Sequence, residues 1–264
     1  MTQGDISGER TVGELGGLTI LITGASSGIG AALAQGVGDA GASGVAVHYN
    51  TGKAGAEEVT LRLTASGVDA APFQSDLSGR GAAEDLVRQV IDRFGRIDVL
   101  INNAGTLVGR RPTVEMDDDF YNAVLDANLY STVACCRAVL PDMISRRSGT
   151  VINVSSVAAR IGGGPGAALY AASKGAVSTY TRGLAREVAG QGIRVNAISP
   201  GMIDTPFHER FTSPEALKAT KASIPMGRLG RADELVGPTV FLASNASSYV
   251  TGQIIEVNGG QYSP

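Results

Sequence analysis

Short apolar runs rich in Val and Ile alternate along this chain with longer amphipathic stretches. The runs at 18–23 ("LTILIT"), 44–49, 68–74, 97–102, 149–155, 193–199 and 253–258 predict strands. The stretches at 28–41, 54–67, 83–95, 117–146, 168–190 and 231–244 predict helices. Residues 83–95 carry the clearest helical pattern. Leu86, Val87, Val90, Ile91 and Phe94 recur at helical spacing, and Gly95 supplies the stop. Pro72 weakens the third strand, because proline cannot donate to a ladder. Residues 201–227 are less regular. Strands separated by helical stretches predict βαβ units and a parallel sheet covered on both faces. The expected fold is therefore an α/β, doubly wound, three-layer Rossmann-type single domain over 16–264. Residues 1–15 are expected to form a flexible extension.

Composition narrows the choice of function. The chain has 264 residues, 43% hydrophobic and 18% charged, so a packed core is expected and disorder is not. Its 36 glycines are nearly twice the usual share of about 7% and are scattered, which suggests many tight turns. A net charge of −3 without a basic cluster argues against nucleic acid. No apolar run approaches a membrane span, and residues 1–17 hold no apolar signal core, so a cytoplasmic protein is expected. Cys135 and Cys136 are adjacent, with no disulfide or metal spacing, and read as small apolar thiols on a buried helix. His48 and His208 lie far apart, so no metal site is expected.

Two local patterns carry chemistry. "TGASSGIG" (23–30) lies between the first strand and the first helix. Glycines there let the backbone approach a pyrophosphate, and the helix N-terminus adds its positive dipole end. Alone, such a triplet is also compatible with a tight βα turn. In "ALYAASKGA" (168–176), Tyr170 and Lys174 stand four apart on one helical face. Read alone, that is most often an incidental surface pair. The functional reading is a phenol whose proton is made exchangeable by a nearby cation and by an oxidised nicotinamide.

The spacing Thr-Gly-x-x-x-Gly-Ile-Gly, followed in order by "SDL", "NNAG" (102–105), Asn128, "VINVSS", the Tyr170–Lys174 pair, "SPGMIDT" (199–205) and "TGQIIEVNGG" (251–260), resembles the short-chain dehydrogenase/reductase family. The resemblance covers roughly residues 15 to 262. It implies hydride transfer between a nicotinamide and a carbonyl or secondary alcohol. Tyr170 would act as general acid/base and Ser156 would polarise the carbonyl, with Ser155 as the competing serine. Lys174 would also bridge the nicotinamide ribose, and Asn128 would hold a water that links Lys174 to solvent. The implied cofactor contacts are Gly24, Ser26, Ser27, Gly28, Ile29, Gly30, Tyr49, Asn50, Thr51, Asp76, Leu77, Asn103, Ala104, Gly105, Tyr170, Lys174, Pro200, Gly201, Ile203 and Thr205. Asp76 would hold the adenine. A homotetramer is implied, paired through helices 117–146 and 168–190 and through the last strand.

Two finer expectations follow. Tyr49 stands where NAD-specific relatives carry an acid, and Asn50, Thr51 and Lys53 are able to bind a phosphate. NADP(H) is therefore favoured over NAD(H), although no arginine stands at the usual selecting positions. The small-molecule substrate is expected to be anionic, because Arg110, Arg111 and Arg160 fall in substrate-side segments and arginine clamps carboxylates. Three stretches, 117–128, 160–174 and 252–261, resemble reductases of the alginate-derived keto-uronate 4-deoxy-L-erythro-5-hexoseulose uronate. The alternative is a 3-oxoacyl-(acyl-carrier-protein) reductase; an alternative of another class is a non-catalytic nicotinamide-binding regulator.

Overall fold

A computed structural model describes residues 14–211 and 214–263. Seven parallel strands form one sheet in the order β3-β2-β1-β4-β5-β6-β7. They are β1 (Thr19–Ile22), β2 (Gly44–Tyr49), β3 (Asp69–Gln74), β4 (Val99–Asn102), β5 (Gly149–Val154), β6 (Ile193–Pro200) and β7 (Ile254–Val257). Between them run α1 (Gly28–Asp39), α2 (Lys53–Ala65), α3 (Ala82–Phe94), α4 (Asp118–Leu125), α5 (Ser131–Arg146), α6 (Ala158–Ile161), α7 (Ala168–Val188), α8 (Pro206–Phe211), α9 (Pro214–Ser223) and α10 (Val236–Ala243). Pro72 is tolerated because β3 is an edge strand.

The alternation of side chains along β1 explains the layers. Ile20 and Ile22 join Leu33 of α1, Leu63 of α2 and Leu242 of α10 in one core. Leu21 points the other way and joins Leu86 of α3, Val139 of α5 and Leu184 of α7. Each face of the sheet thus has its own apolar core. Cys135 and Cys136 are both buried in the second, where burial pushes the Cys136 thiol up to about 12 and the Cys135 thiol higher still.

Two details depart from the sequence reading. The expected helix 117–146 is continuous over Asp118–Arg146 but widens to a π-turn at Asp126–Tyr130. Asn128, at its centre, is fully buried. The widened turn lets the Asn128 Nδ2 donate to Val124 O (2.8 Å) and also to Thr106 O (2.7 Å) on the loop after β4. Hydrophobic periodicity carries no signal for such a turn, because it counts apolar positions and not backbone bonds. The second departure is at the N-terminus. Leu15 is fully buried in the first core and its N–H donates to Ala40 O. The folded body therefore begins by Leu15, ahead of the expected boundary; most of the expected extension, residues 1–13, lies outside the described residues.

The sheet order places a switch point between β1 and β4, where the chain reverses its direction of winding. Ligands of open α/β sheets bind at the carboxyl ends of the strands there. As a test of the boundary, Leu15→Ala should cost about 2–5 kcal/mol in chemical denaturation; an unchanged midpoint would mean that Leu15 is outside the core.

Candidate active site

The chain leaves β1 through Gly24, which has φ +64, and enters α1 through Gly28, which has φ +53. Both conformations are costly for residues with a Cβ. A Cβ on Gly30 would collide with the Gly24 carbonyl and with the Asn103 amide nitrogen. Asn103 is what ties this turn to β4: its Nδ2 donates to Thr23 O and Gly24 O, both at 2.9 Å. Ser27 sits at the N-cap of α1 yet makes no side-chain cap bond, and no acid lies in the first turn. The first amides of α1 thus keep their donors for a ligand anion. This is the observation by which the residues present fit a dinucleotide pyrophosphate.

His48, which sequence reasoning considered only for metals, braces the same turn. Gly24 N–H donates to its Nδ1 (3.0 Å), so its Nε2 carries the proton and donates to Ser75 O (3.0 Å). The His48 carbonyl also accepts from Ala25 N. Burial lowers the imidazole to about 4, so it stays neutral and keeps Nδ1 open as acceptor. The His208 side chain lies outside the described residues.

A cavity of about 710 Å³ opens at the carboxyl edge of the sheet. The expected cofactor residues Gly24, Ser27–Gly30, Asn103, Gly105, Pro200, Gly201, Ile203 and Thr205 line it, together with Ser156, Tyr170 and Lys174. Ser26, Tyr49, Asn50, Thr51, Asp76, Leu77 and Ala104 do not. Tyr49 and Asn50 stand at the end of β2, and Asp76 and Leu77 just after β3. Bonds from Ser78 and the Asn50 side chain hold the Asp76 carboxyl below its usual value.

α7 carries Tyr170 and Lys174, and β5 ends just before Ser155 and Ser156. Lys174 is 4% exposed and its Nζ donates to Val154 O at 2.9 Å. No carboxylate neutralises it among the described residues, and burial lowers its ammonium to about 8. A Cβ on Gly105 would lie 2.7 Å from Asn128 Oδ1 and 3.0 Å from Lys174 Nζ, so the two groups share one corner. Tyr170 hydrogen-bonds with Ser156, which lowers its pKa, but burial dominates and pushes the phenol up to about 12. Lys174 Nζ stands 6.0 Å from the ring centre. The lowering of the phenol is expected from Lys174 together with an oxidised nicotinamide; in the free protein desolvation sets the direction. The two serines are separated by their partners. Ser155 is 3% exposed and is engaged with Lys174 O (3.1 Å) and Ser178 Oγ (2.7 Å). Ser156 faces Tyr170.

The three expected substrate arginines part company. Arg110 lines the cavity and donates to Pro165 O (2.9 Å) and Phe211 O (2.7 Å), with no carboxylate partner among the described residues. Arg111 instead pairs with Asp117 (2.6 Å) and covers the Phe120 ring. Arg160 pairs with Glu256 (2.8 Å) beside the Tyr262 ring. Neither lines the cavity, since carboxylates on neighbouring segments claim them. Val108, two residues before Arg110, adopts φ +62, a strained value for a β-branched residue. Phe207 and Phe211 of α8 form an aromatic wall against Tyr170, with ring centres 6.1 Å and 5.1 Å apart in turn. Their i,i+4 spacing in "PFHERF" was the available signal for that wall.

A dinucleotide turn at a switch point, opening onto a tyrosine and a buried lysine, defines a nicotinamide-dependent oxidoreductase class. Residues 24–262 match the family model for enoyl-(acyl carrier protein) reductases. The chain is 38% identical over 246 residues to the 3-oxoacyl-[acyl-carrier-protein] reductase of Staphylococcus aureus, covering 92% of this chain and 97% of that one. It is 40% identical over 249 residues to the 2-dehydro-3-deoxy-D-gluconate 5-dehydrogenase of Pseudoalteromonas atlantica, covering 93% and 96%. Among solved structures, the NADH-dependent reductase A1-R' responsible for alginate metabolism superposes with TM-score 0.87 at 38% identity, covering 95% and 99%. A gluconate 5-dehydrogenase from Burkholderia cenocepacia in complex with NADP and tartrate also gives 0.87, at 33% identity over 94% and 96%. The chain belongs to the short-chain dehydrogenase/reductase family. It is an NAD(P)-dependent oxidoreductase acting on CH–OH or carbonyl groups.

Lys174 yields a test that needs no substrate. Between about 8 and 10.5 the unfolded chain holds a lysine proton that the folded protein has lost. The Lys174 contribution to stability should therefore rise with pH across that window, by on the order of 3 kcal/mol, against the opposing fall from the buried thiols of Cys135 and Cys136. It should be read as the pH dependence of the difference in stability between wild type and Lys174→Met. His48→Ala should weaken cofactor binding about tenfold while leaving kcat at saturation near wild type, measured by fluorescence titration and steady-state kinetics.

Proposed function

We propose that this enzyme reduces a small anionic carbonyl compound, of the keto-uronate or sugar-acid class, with Tyr170 as the proton donor to the carbonyl oxygen. The observation that carries the substrate class is Arg110. It lines the cavity of Ser156 and Tyr170 and has no carboxylate partner among the described residues. Two of its nitrogens are held by main-chain carbonyls, which orient the guanidinium and leave its charge for a ligand. Names of two relatives, a 2-dehydro-3-deoxy-D-gluconate dehydrogenase and an alginate-metabolism reductase, support the same class.

The bound nicotinamide supplies the hydride. Ser156 donates to the substrate carbonyl and orients it towards Tyr170, which gives or takes the proton at that oxygen. Lys174 holds a positive charge beside the phenol and returns to Tyr170 the proton it gives up, resupplied from solvent through a water held at Asn128, whose Oδ1 also accepts from Thr106 N–H (3.1 Å). Held by the turn at Gly24–Gly30, an oxidised nicotinamide would add a second positive charge for Tyr170, whose phenol would then fall from its free value of about 12. NADP(H) is the proposed cofactor. No acid lies between Tyr49 and Lys53, and Ser26 packs where Gly52 and Gly55 leave room beside α2. Cytoplasmic action belongs to the same reading, since reduced buried thiols suit that compartment. So does a homotetramer: the most apolar window within Asp118–Arg146 has mean hydropathy 1.2 and is only 50% buried in one subunit.

The second reading, a 3-oxoacyl-(acyl-carrier-protein) reductase, is favoured by the Staphylococcus aureus relative and by the apolar wall of Phe207 and Phe211. A screen of keto-uronates against acetoacetyl thioesters with NADPH separates the two; turnover of the thioester alone would sink the sugar-acid reading. Tyr170→Phe should lower kcat by at least about 100-fold while cofactor affinity holds. Arg110→Ala should raise KM for a keto acid about tenfold or more and leave a neutral ketone nearly unaffected.

A further inference from the structure

One polar group on the cavity wall takes no part in the chemistry proposed above. Gln261, on the turn after β7, lines the cavity. Its side-chain Oε1 is buried, out of reach of a ligand there. The end of the amide that meets the cavity is therefore the Nε2 amino group, and no oxygen among the described residues accepts from it. An amide carries its donors and its acceptor on opposite sides of one plane. Gln261 thus offers the cavity two N–H groups and no acceptor.

The turn that carries Gln261 is tightly built. Gly259 and Gly260 adopt φ +63 and +85. A Cβ on either would press on Ile224 or Pro225, the residues just after α9, at 3.0 and 3.1 Å. Met226 N–H donates back to Gly259 O (3.1 Å), and Gln261 N–H donates to Asn258 O (3.1 Å). The Asn258 side chain accepts from Gly260 N–H (3.0 Å) and donates to Tyr262 O (3.0 Å). Arg160 pairs with Glu256 of β7 and lies 5.7 Å from the Tyr262 ring centre. The backbone on both sides of Gln261 is thus held, and its amide is presented from a fixed place.

That place lies on the other flank of the cavity from Arg110. β4 and β7 stand three strand spacings apart in the sheet, about 14 Å. Arg110 arrives on the loop after β4 and Gln261 on the turn after β7. Ser156, which faces Tyr170, follows β5, between the two. A ligand that engages both outer groups therefore carries oxygen on both sides of the carbonyl that Ser156 and Tyr170 handle.

We propose that Gln261 is a specificity-determining residue whose amide donates to a substrate oxygen lying beyond the reacting carbonyl, on the side away from the carboxylate. This rests on the anionic-substrate reading and deepens it: the substrate is a keto acid that bears a hydroxyl or carbonyl oxygen past its ketone. In the free protein, water satisfies the two N–H groups. A substrate that fills the cavity displaces that water. One with an oxygen at this place restores the bond, whereas one with a methyl group strands the donor, and the difference is the discrimination.

The test uses two keto acids that differ by one oxygen, 5-keto-D-gluconate and its 6-deoxy analogue, each reduced with NADPH. Both carry the carboxylate, and only the first carries a hydroxyl beyond the ketone. Wild type should favour 5-keto-D-gluconate by about fivefold or more in kcat/KM. Gln261→Met, which keeps the length and removes the donor, should bring the two substrates within about twofold of each other by slowing 5-keto-D-gluconate alone. Gln261→Leu repeats the test should methionine pack badly. Arg110→Ala should weaken both keto acids alike and leave the preference between them intact. NADPH affinity, from fluorescence titration, should be the same in wild type and in both Gln261 variants. A wild type without the preference, a preference that survives both Gln261 substitutions, or an equal loss on both keto acids would overturn the role of Gln261 while the anionic-substrate reading stands. A wild-type enzyme that reduces acetoacetyl thioesters but neither keto acid would overturn both.

Discussion

The burial of the Lys174 ammonium without a carboxylate is the constraint around which this site is organised. A cation in that position needs an oxygen acceptor fixed in advance, since water cannot follow it in. Val154 O at the end of β5 supplies one. Asn128 Oδ1 faces the same corner at Gly105, where the helix is widened at Asp126–Tyr130 and a Cβ on residue 105 would crowd both groups. Ser155 closes the arrangement by bonding the Lys174 carbonyl, which frees Ser156 to face Tyr170. A helix irregularity, a glycine and a strand end thus serve one side chain. Desolvation lowers Lys174 to about 8 and raises Tyr170 to about 12, so the pair proposed for proton transfer rests in the free protein in a state that a bound positive charge would shift.

On the opposite side, the loops after β4, β5 and β7 and helix α8 meet over the cavity. Arg110 links three of them, through its own loop, Pro165 and Phe211. The strained Val108 shows that this loop is held by its neighbours and not by its own preference.

The layers were readable because period-two and helical patterns depend on burial, and burial is what the two cores impose. Asn128, Tyr170, Lys174 and the glycines were readable because they stand in ordered motifs. The π-turn was not, since it changes hydrogen bonding without changing which residues are apolar. Nor was the fate of the arginines. Arg111 and Arg160 carry the same chemistry as Arg110, and only the fold brings Asp117 and Glu256 against them. His48 escaped for a similar reason: its partners Gly24 and Ser75 lie on neighbouring strand ends, not near it in the chain.

The central claim is that oxidised cofactor would turn the phenol of Tyr170 into a working acid–base group. The phenolate absorbance of wild type minus Tyr170→Phe, titrated with and without NADP⁺, tests it directly. Ionisation should fall near pH 12 in the free protein and move well towards neutrality with NADP⁺ bound. The same titration with and without NADP⁺ would contradict it.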